Sequence, residues 1–143
     1  MNTSKSNSSF KKIWIIDDNK IELFLAKKYN EICCFAEEAV LLNSARQGLE
    51  LLKSLENNPD QLPQFIFLDI RMPVMDGFDF LREYEKFPDS VKLNCIIIML
   101  SSSMDPEDHE KIKKNPLINQ FISKPLTEAK LKNLKSEFSR RFS

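Results

Sequence analysis

The chain has 143 residues, 42% of them apolar and 29% charged, enough core for one globular domain and not comfortably for two. Lys plus Arg equals Asp plus Glu at 21 each, so net charge points to neither nucleic acid nor an anionic membrane as a partner. No apolar run approaches the ~20 residues of a membrane helix, and Cys33, Cys34 and Cys95, without metal-type spacing, read as reduced thiols of a cytoplasmic protein.

In chain order, residues 1–10, "MNTSKSNSSF", are polar and lack the apolar centre of a signal peptide, so they are expected to be a flexible lead-in to one domain over 11–143. "IWII", residues 13–16, reads as a strand buried on both faces, and it runs straight into Asp17 and Asp18. Asn19 is a candidate cap for the helix that follows, in which Ile21, Phe24, Leu25 and Tyr29 recur at helical spacing. "AVLLN", residues 39–43, is a second short strand. Ser44 then opens a helix with Ala45, Leu49, Leu52 and Leu55 on one face, and "NPDQLP" ends it.

"FIFLD", residues 65–69, is the third strand. The loop "IRMPVMDG" leads into a helix with Phe78, Leu81 and Tyr84 inward. "CIIIML", residues 95–100, is the fourth strand, and Pro106 suits the first turn of a short fourth helix. "QFIS", residues 120–123, is the fifth. The last helix, from about Thr127, carries Leu131, Leu134, Phe138 and Phe142 inward, and no second domain is expected after it.

Five strands alternate with five helices, and the strands are nearly all apolar, as in an α/β doubly wound parallel sheet with helices on both faces. Such sheets place their sites beyond the carboxyl ends of the strands. Asp17 and Asp18 end the first strand, Asp69 the third, Ser101 the fourth and Lys124 the fifth. One edge would thus gather three carboxylates, a hydroxyl and an ammonium. Adjacent aspartates repel at the end of a buried strand. A hard divalent cation held by carboxylate oxygens would make that arrangement tolerable.

"IIDDN", "FLDIRMPVMDG", "MLSSS" and "FISKP", in this order, resemble the receiver domain of two-component response regulators over roughly residues 12–142. The resemblance implies a flavodoxin-like sheet of strand order 2-1-3-4-5. It makes Asp69 the phosphoacceptor and Asp17, Asp18, Asp69 and the backbone carbonyl of Arg71 the ligands of Mg²⁺, with Mn²⁺ as a substitute. Ser101 and Lys124 would bind the phosphoryl group, Ser101 and Phe121 would form the switch, and the bond before Pro125 would be cis. The implied partners are a histidine kinase or histidine phosphotransfer protein and a downstream protein. A second copy of the chain, bound through the face of the fourth helix, fifth strand and fifth helix, is a further candidate.

The chain would be a phosphorylated switch and no enzyme beyond its own phosphorylation and dephosphorylation. The alternatives in view are a relay intermediate that passes phosphate onward, a receiver that only binds partners, and a haloacid-dehalogenase-like phosphohydrolase. That last class sets its two aspartates two residues apart on the first strand, whereas Asp17 and Asp18 are adjacent. His109, the one histidine, reads as a solvated helix position, Met72 and Met75 as packing beneath the site, and "SRRF" as a solvated helix end.

Overall fold

The computed structural model describes residues 8–102 and 105–139. Strands β1 (Phe10–Ile16), β2 (Ala36–Leu42), β3 (Phe65–Asp69), β4 (Ile96–Ser101) and β5 (Ile118–Ser123) form one parallel sheet in the order β2-β1-β3-β4-β5. Helices are α1 (Lys20–Cys33), α2 (Ala45–Leu55), α3 (Gly77–Tyr84), α4 (Asp89–Lys92), α5 (Pro106–Lys114) and α6 (Glu128–Phe138). Strand alternation divides the core in two. Ile13, Ile15, Phe65, Phe67 and Ile98 face α1 and α6, where Leu23, Ala26, Leu131, Leu134 and Phe138 cover them. Trp14, Ile16, Ile66, Leu68, Ile97 and Met99 face the other way, against Leu52, Phe80, Leu81, Tyr84 and Val91. β3 is buried along its whole length, as its run of apolar residues requires.

The termini of the elements follow side-chain chemistry. The Asn19 side chain accepts from the amides of Ile21 and Glu22, and Ser44, Asp105 and Thr127 cap α2, α5 and α6 in the same way. Asp76 and Asp79 form a reciprocal capping box on α3. Gly48 and Gly77 serve close approach: a Cβ on Gly48 would stand 2.7 Å from Ile16 Cδ1, and one on Gly77 would stand 2.6 Å from the Asp69 carbonyl oxygen.

Several boundaries differ from expectation. β1 begins at Phe10, which is buried among Phe35 and Phe65, so the amphipathic "FKK" before Ile13 is strand as well. β2 begins at Ala36 and ends at Leu42, β4 is shifted one residue later, and β5 begins two residues earlier, at Ile118. The chain forms α4, a single turn between α3 and β4 that the apolar periodicity did not signal, and Val91 buries it. On α1 the buried positions are Leu23, Ala26, Asn30 and Cys33, while Ile21 and Phe24 stand 70% and 56% exposed. The cause is Asn30. Its side chain donates to the Ala36 carbonyl at 3.2 Å and accepts from the Ala36 amide at 2.8 Å, which fixes the rotation of the helix. Phe142, Ser103 and the arginines of "SRRF" lie outside the described residues. The three cysteines are free thiols.

Candidate functional site

β1 and β3 end side by side, so Asp17 and Asp69 emerge from adjacent strands into the same crevice. Both are buried, at 1% and 3% exposure, while Asp18 is exposed beside them. Oxygens of the three carboxylates lie within 4.8 Å of one another. Lys124 enters from the end of β5, two strands away. Its Nζ stands 2.7 Å from Asp17 Oδ2 and 3.1 Å from Asp69 Oδ1. The reach depends on the β4–β5 pairing, because the Lys124 amide donates to the Ser101 carbonyl at 2.8 Å. The Lys124–Pro125 peptide is cis. Beyond it, Lys130 Nζ donates to the carbonyls of Ser123 and Pro125, one on each side of Lys124.

Backbone amides also hold the two carboxylates. Asp17 Oδ1 accepts from the Asn19 amide at 2.9 Å, and Asp69 Oδ1 accepts from the Arg71 amide at 3.3 Å. Burial pushes the Asp69 carboxyl up to about 6; the neighbouring Asp17 charge pushes the same way, and Lys124 with the Arg71 amide holds it back. Lys124 is affected oppositely. Burial would lower it, but its bonds to Asp17 and Asp69 outweigh that, and the ammonium is held above the ordinary lysine range. The lysine is therefore a fixed cation between two carboxylates, one of which is a weaker acid than an ordinary aspartate.

An all-oxygen set of three carboxylates at this spacing suits a hard divalent ion such as Mg²⁺, which prefers few protein ligands and several waters. Asp17, Asp18, Asp69 and Lys124 thus converge as the sequence suggested. Ser101 ends β4 in the same row, buried to 2% exposure. Phe121 sits half-buried on β5, opposite Met99 in register, with the His109 ring edge-on at 6.3 Å. His109 is exposed, as expected, but it covers the candidate switch aromatic. Met72 is buried and Met75 half-buried under the loop.

Two features were missed. The Arg71 side chain crosses to α5, where it pairs with Asp108 and lies 3.6 Å from Asp105. Asp108 is 1% exposed, and nothing in "PEDHEK" distinguishes it from its solvated neighbours. Gly77 was legible only as the end of "MDG"; its role is to let α3 start against the Asp69 carbonyl.

Comparison with known proteins places this geometry. Residues 13–135 match the family model described as the response regulator receiver domain. A two-component response regulator from Cytophaga hutchinsonii superposes with a TM-score of 0.81 at 28% identity, over 89% of this chain and 95% of that one. The receiver domain of the histidine kinase CKI1 from Arabidopsis thaliana, in a structure complexed with Mg²⁺, gives 0.74 at 25% identity, over 90% and 91%. In sequence, the probable methanogenesis regulatory protein FilR2 of Methanothrix harundinacea is 26% identical over 87% of this chain and 79% of its own length. The sensor histidine kinase CheAY of Helicobacter pylori is 30% identical over 85% of this chain, which spans only 14% of that protein.

Proposed function

The chain belongs to the response regulator receiver domain family, and from that premise we propose that it accepts a phosphoryl group on Asp69 in a two-component or phosphorelay pathway of the cytoplasm. The donor is a histidine kinase or a histidine phosphotransfer protein, and the signal leaves by contact with a downstream protein. The observation that carries this reading is Lys124, bonded at once to Asp17 and Asp69 within a cluster of three carboxylates.

In the proposed reaction an Asp69 oxygen bonds to phosphorus as the bond from phosphorus to the donor's imidazole nitrogen breaks, and the electron pair leaves with the imidazole. An anionic nucleophile and an anionic phosphoryl group repel, so the residues around them supply charge and position. Asp17, Asp18, Asp69 and the Arg71 carbonyl would hold Mg²⁺, which when bound spreads the charge on the transferring oxygens. Lys124 is already placed to follow its Asp69 bond onto a phosphoryl oxygen. Ser101 donates its hydroxyl to another, and Phe121 turns into the space that movement leaves. A shift of Phe121 alters the face of α5, β5 and α6, which is where a partner or a second copy would read the state.

The test is mass spectrometry after incubation with Mg²⁺ and acetyl phosphate. One phosphoryl mass should be added, and Asp69→Asn should abolish it. Equal labelling of that variant would overturn the assignment.

A further inference from the structure

Among the helices of eight or more residues, α5 is fastened in an unusual way. The buried positions of α1, α2, α3 and α6 include apolar stripes. On α5 the one fully buried side chain is the carboxylate of Asp108, with Ile112 half-buried behind it. A buried carboxylate is costly unless paired. Its partner is the Arg71 guanidinium, and the same guanidinium lies 3.6 Å from Asp105, the residue that caps α5 and accepts from the Asp108 amide at 3.1 Å. The first turn of α5 therefore rests on one cation. That cation belongs to the residue whose own amide donates to Asp69 Oδ1. The Arg71 side chain is 58% exposed, so it is anchored at Asp108 and free to turn elsewhere, whereas Asp108, at 2%, is not.

We propose that Arg71 and Asp108 form a charge clasp whose closure competes with phosphorylation of Asp69, so that the state of the acceptor sets how firmly α5 is docked. This rests on the phosphoacceptor reading of Asp69. Phosphorylation replaces a carboxylate with a group carrying more negative charge and more acceptor oxygens, two residues from Arg71. The guanidinium then has two anionic partners to choose from; both can pair bidentately, and the larger charge and extra acceptor oxygens favour the phosphoryl group. As it leaves Asp108, the first turn of α5 loses an anchor and a buried carboxylate loses its cation, while Ile112 and Lys111 still hold the second turn against the core and Phe78. The clasp acts independently of the Ser101 to Phe121 route and ends on the same output helix.

The sign is testable because it opposes that of structural damage. Beryllofluoride with Mg²⁺ mimics the phosphoryl group, and its affinity can be read by calorimetry. Asp108→Asn removes the competing anion, so it should bind beryllofluoride about fivefold or more tightly than the parent, the lower end of ordinary coupling between sites. In the Arg71→Gln background the same Asp108→Asn change should have no effect on affinity. A merely structural Asp108 would give unchanged or weaker binding. Either that outcome, or an equal gain in the Arg71→Gln background, overturns the clasp. Hydrogen exchange in the unmutated protein needs no variant to fold: amides of Glu107–Lys114 should exchange faster with beryllofluoride bound, and slower or unchanged exchange would overturn the clasp. A parent that fails to bind beryllofluoride overturns the phosphoacceptor reading and the clasp together. A parent that binds while Asp108→Asn behaves like it overturns the clasp alone.

Discussion

Replacing Asp18 by Asn should stabilise the protein in chelator and destabilise it, relative to the parent, in Mg²⁺. In the structure Lys124 bonds Asp17 and Asp69, and Asp18 lies outside both bonds with its oxygen within 4.8 Å of theirs. At that separation two unit charges interact by about 1 kcal/mol in a water-like dielectric, which suits the exposed Asp18. Two carboxylates repel it and one ammonium attracts it, so the net gain from neutralising it is about 1 kcal/mol. For a domain of this size that corresponds to roughly 4 °C in Tm. Metal reverses the order. An ion that binds only the folded state contributes RT ln(1 + [L]/Kd), about 2.7 kcal/mol at a hundredfold excess over Kd, or roughly 10 °C here. The parent should show that rise between EDTA and Mg²⁺, and Asp18→Asn should show little of it. Thermal melts of both proteins in both buffers are sufficient. A variant that melts below its parent in chelator would refute charge repulsion as the dominant effect, and an undiminished Mg²⁺ shift would remove Asp18 from the metal site.

Asp69 also predicts a pH dependence. Its folded-state carboxyl is raised to about 6 from 3.8, so its contribution to stability is fully present below about 4 and lost as pH rises through 6. Metal-free protein titrated by calorimetry should lose a stabilising contribution across that window, and Asp69→Asn should lose this part of the dependence. Lys124→Met leaves Asp17 and Asp69 buried without their cation, so it should lower stability in chelator by about 3 kcal/mol by urea unfolding, as removal of one member of a buried ion pair does. Gly77→Ala sets a Cβ 2.6 Å from the Asp69 carbonyl and 2.9 Å from Met99 Cε. It should cost about 2 kcal/mol, in the range of overpacking, and weaken Mg²⁺ binding by displacing the acceptor loop; a neutral effect on both would mean that the loop yields freely.

The sheet was legible because its central strands are almost wholly apolar, and the site because the polar residues that end those strands have complementary chemistry. Strand ends read less well at the sheet margins. β2 includes Glu37 and Glu38, and β5 includes Asn119 and Gln120, since edge strands face solvent and need not be apolar. On α1, Ile21, Phe24, Leu25 and Tyr29 satisfy a helical period as well as Leu23, Ala26, Asn30 and Cys33 do, so periodicity could not choose between them. A polar residue made the choice, through two hydrogen bonds to Ala36 that no hydrophobic count contains. Asp108 escaped for the same reason: a buried acid among solvated ones is defined by its partner 37 residues away.

These exceptions are not scattered evenly about the molecule. β1 and β3, which deliver Asp17 and Asp69, are buried on both faces where they meet. Lys124 and Phe121 come from β5, an edge strand half open to solvent, beside a register shift in its pairing with β4 between Ile97 and Ile98. α5, which packs beside β5, has an ion-paired carboxylate as its one fully buried side chain, with Ile112 partly buried against the core, where its neighbours bury apolar stripes. Apolar packing is insensitive to a new charge nearby, whereas an ion pair and a half-buried aromatic are not. A charge added at Asp69 would therefore meet apolar packing on one side and an ion pair on the other. On the proposed reading, the response would be directed towards α5 and β5 by the way each element is held, before any partner is present to read it.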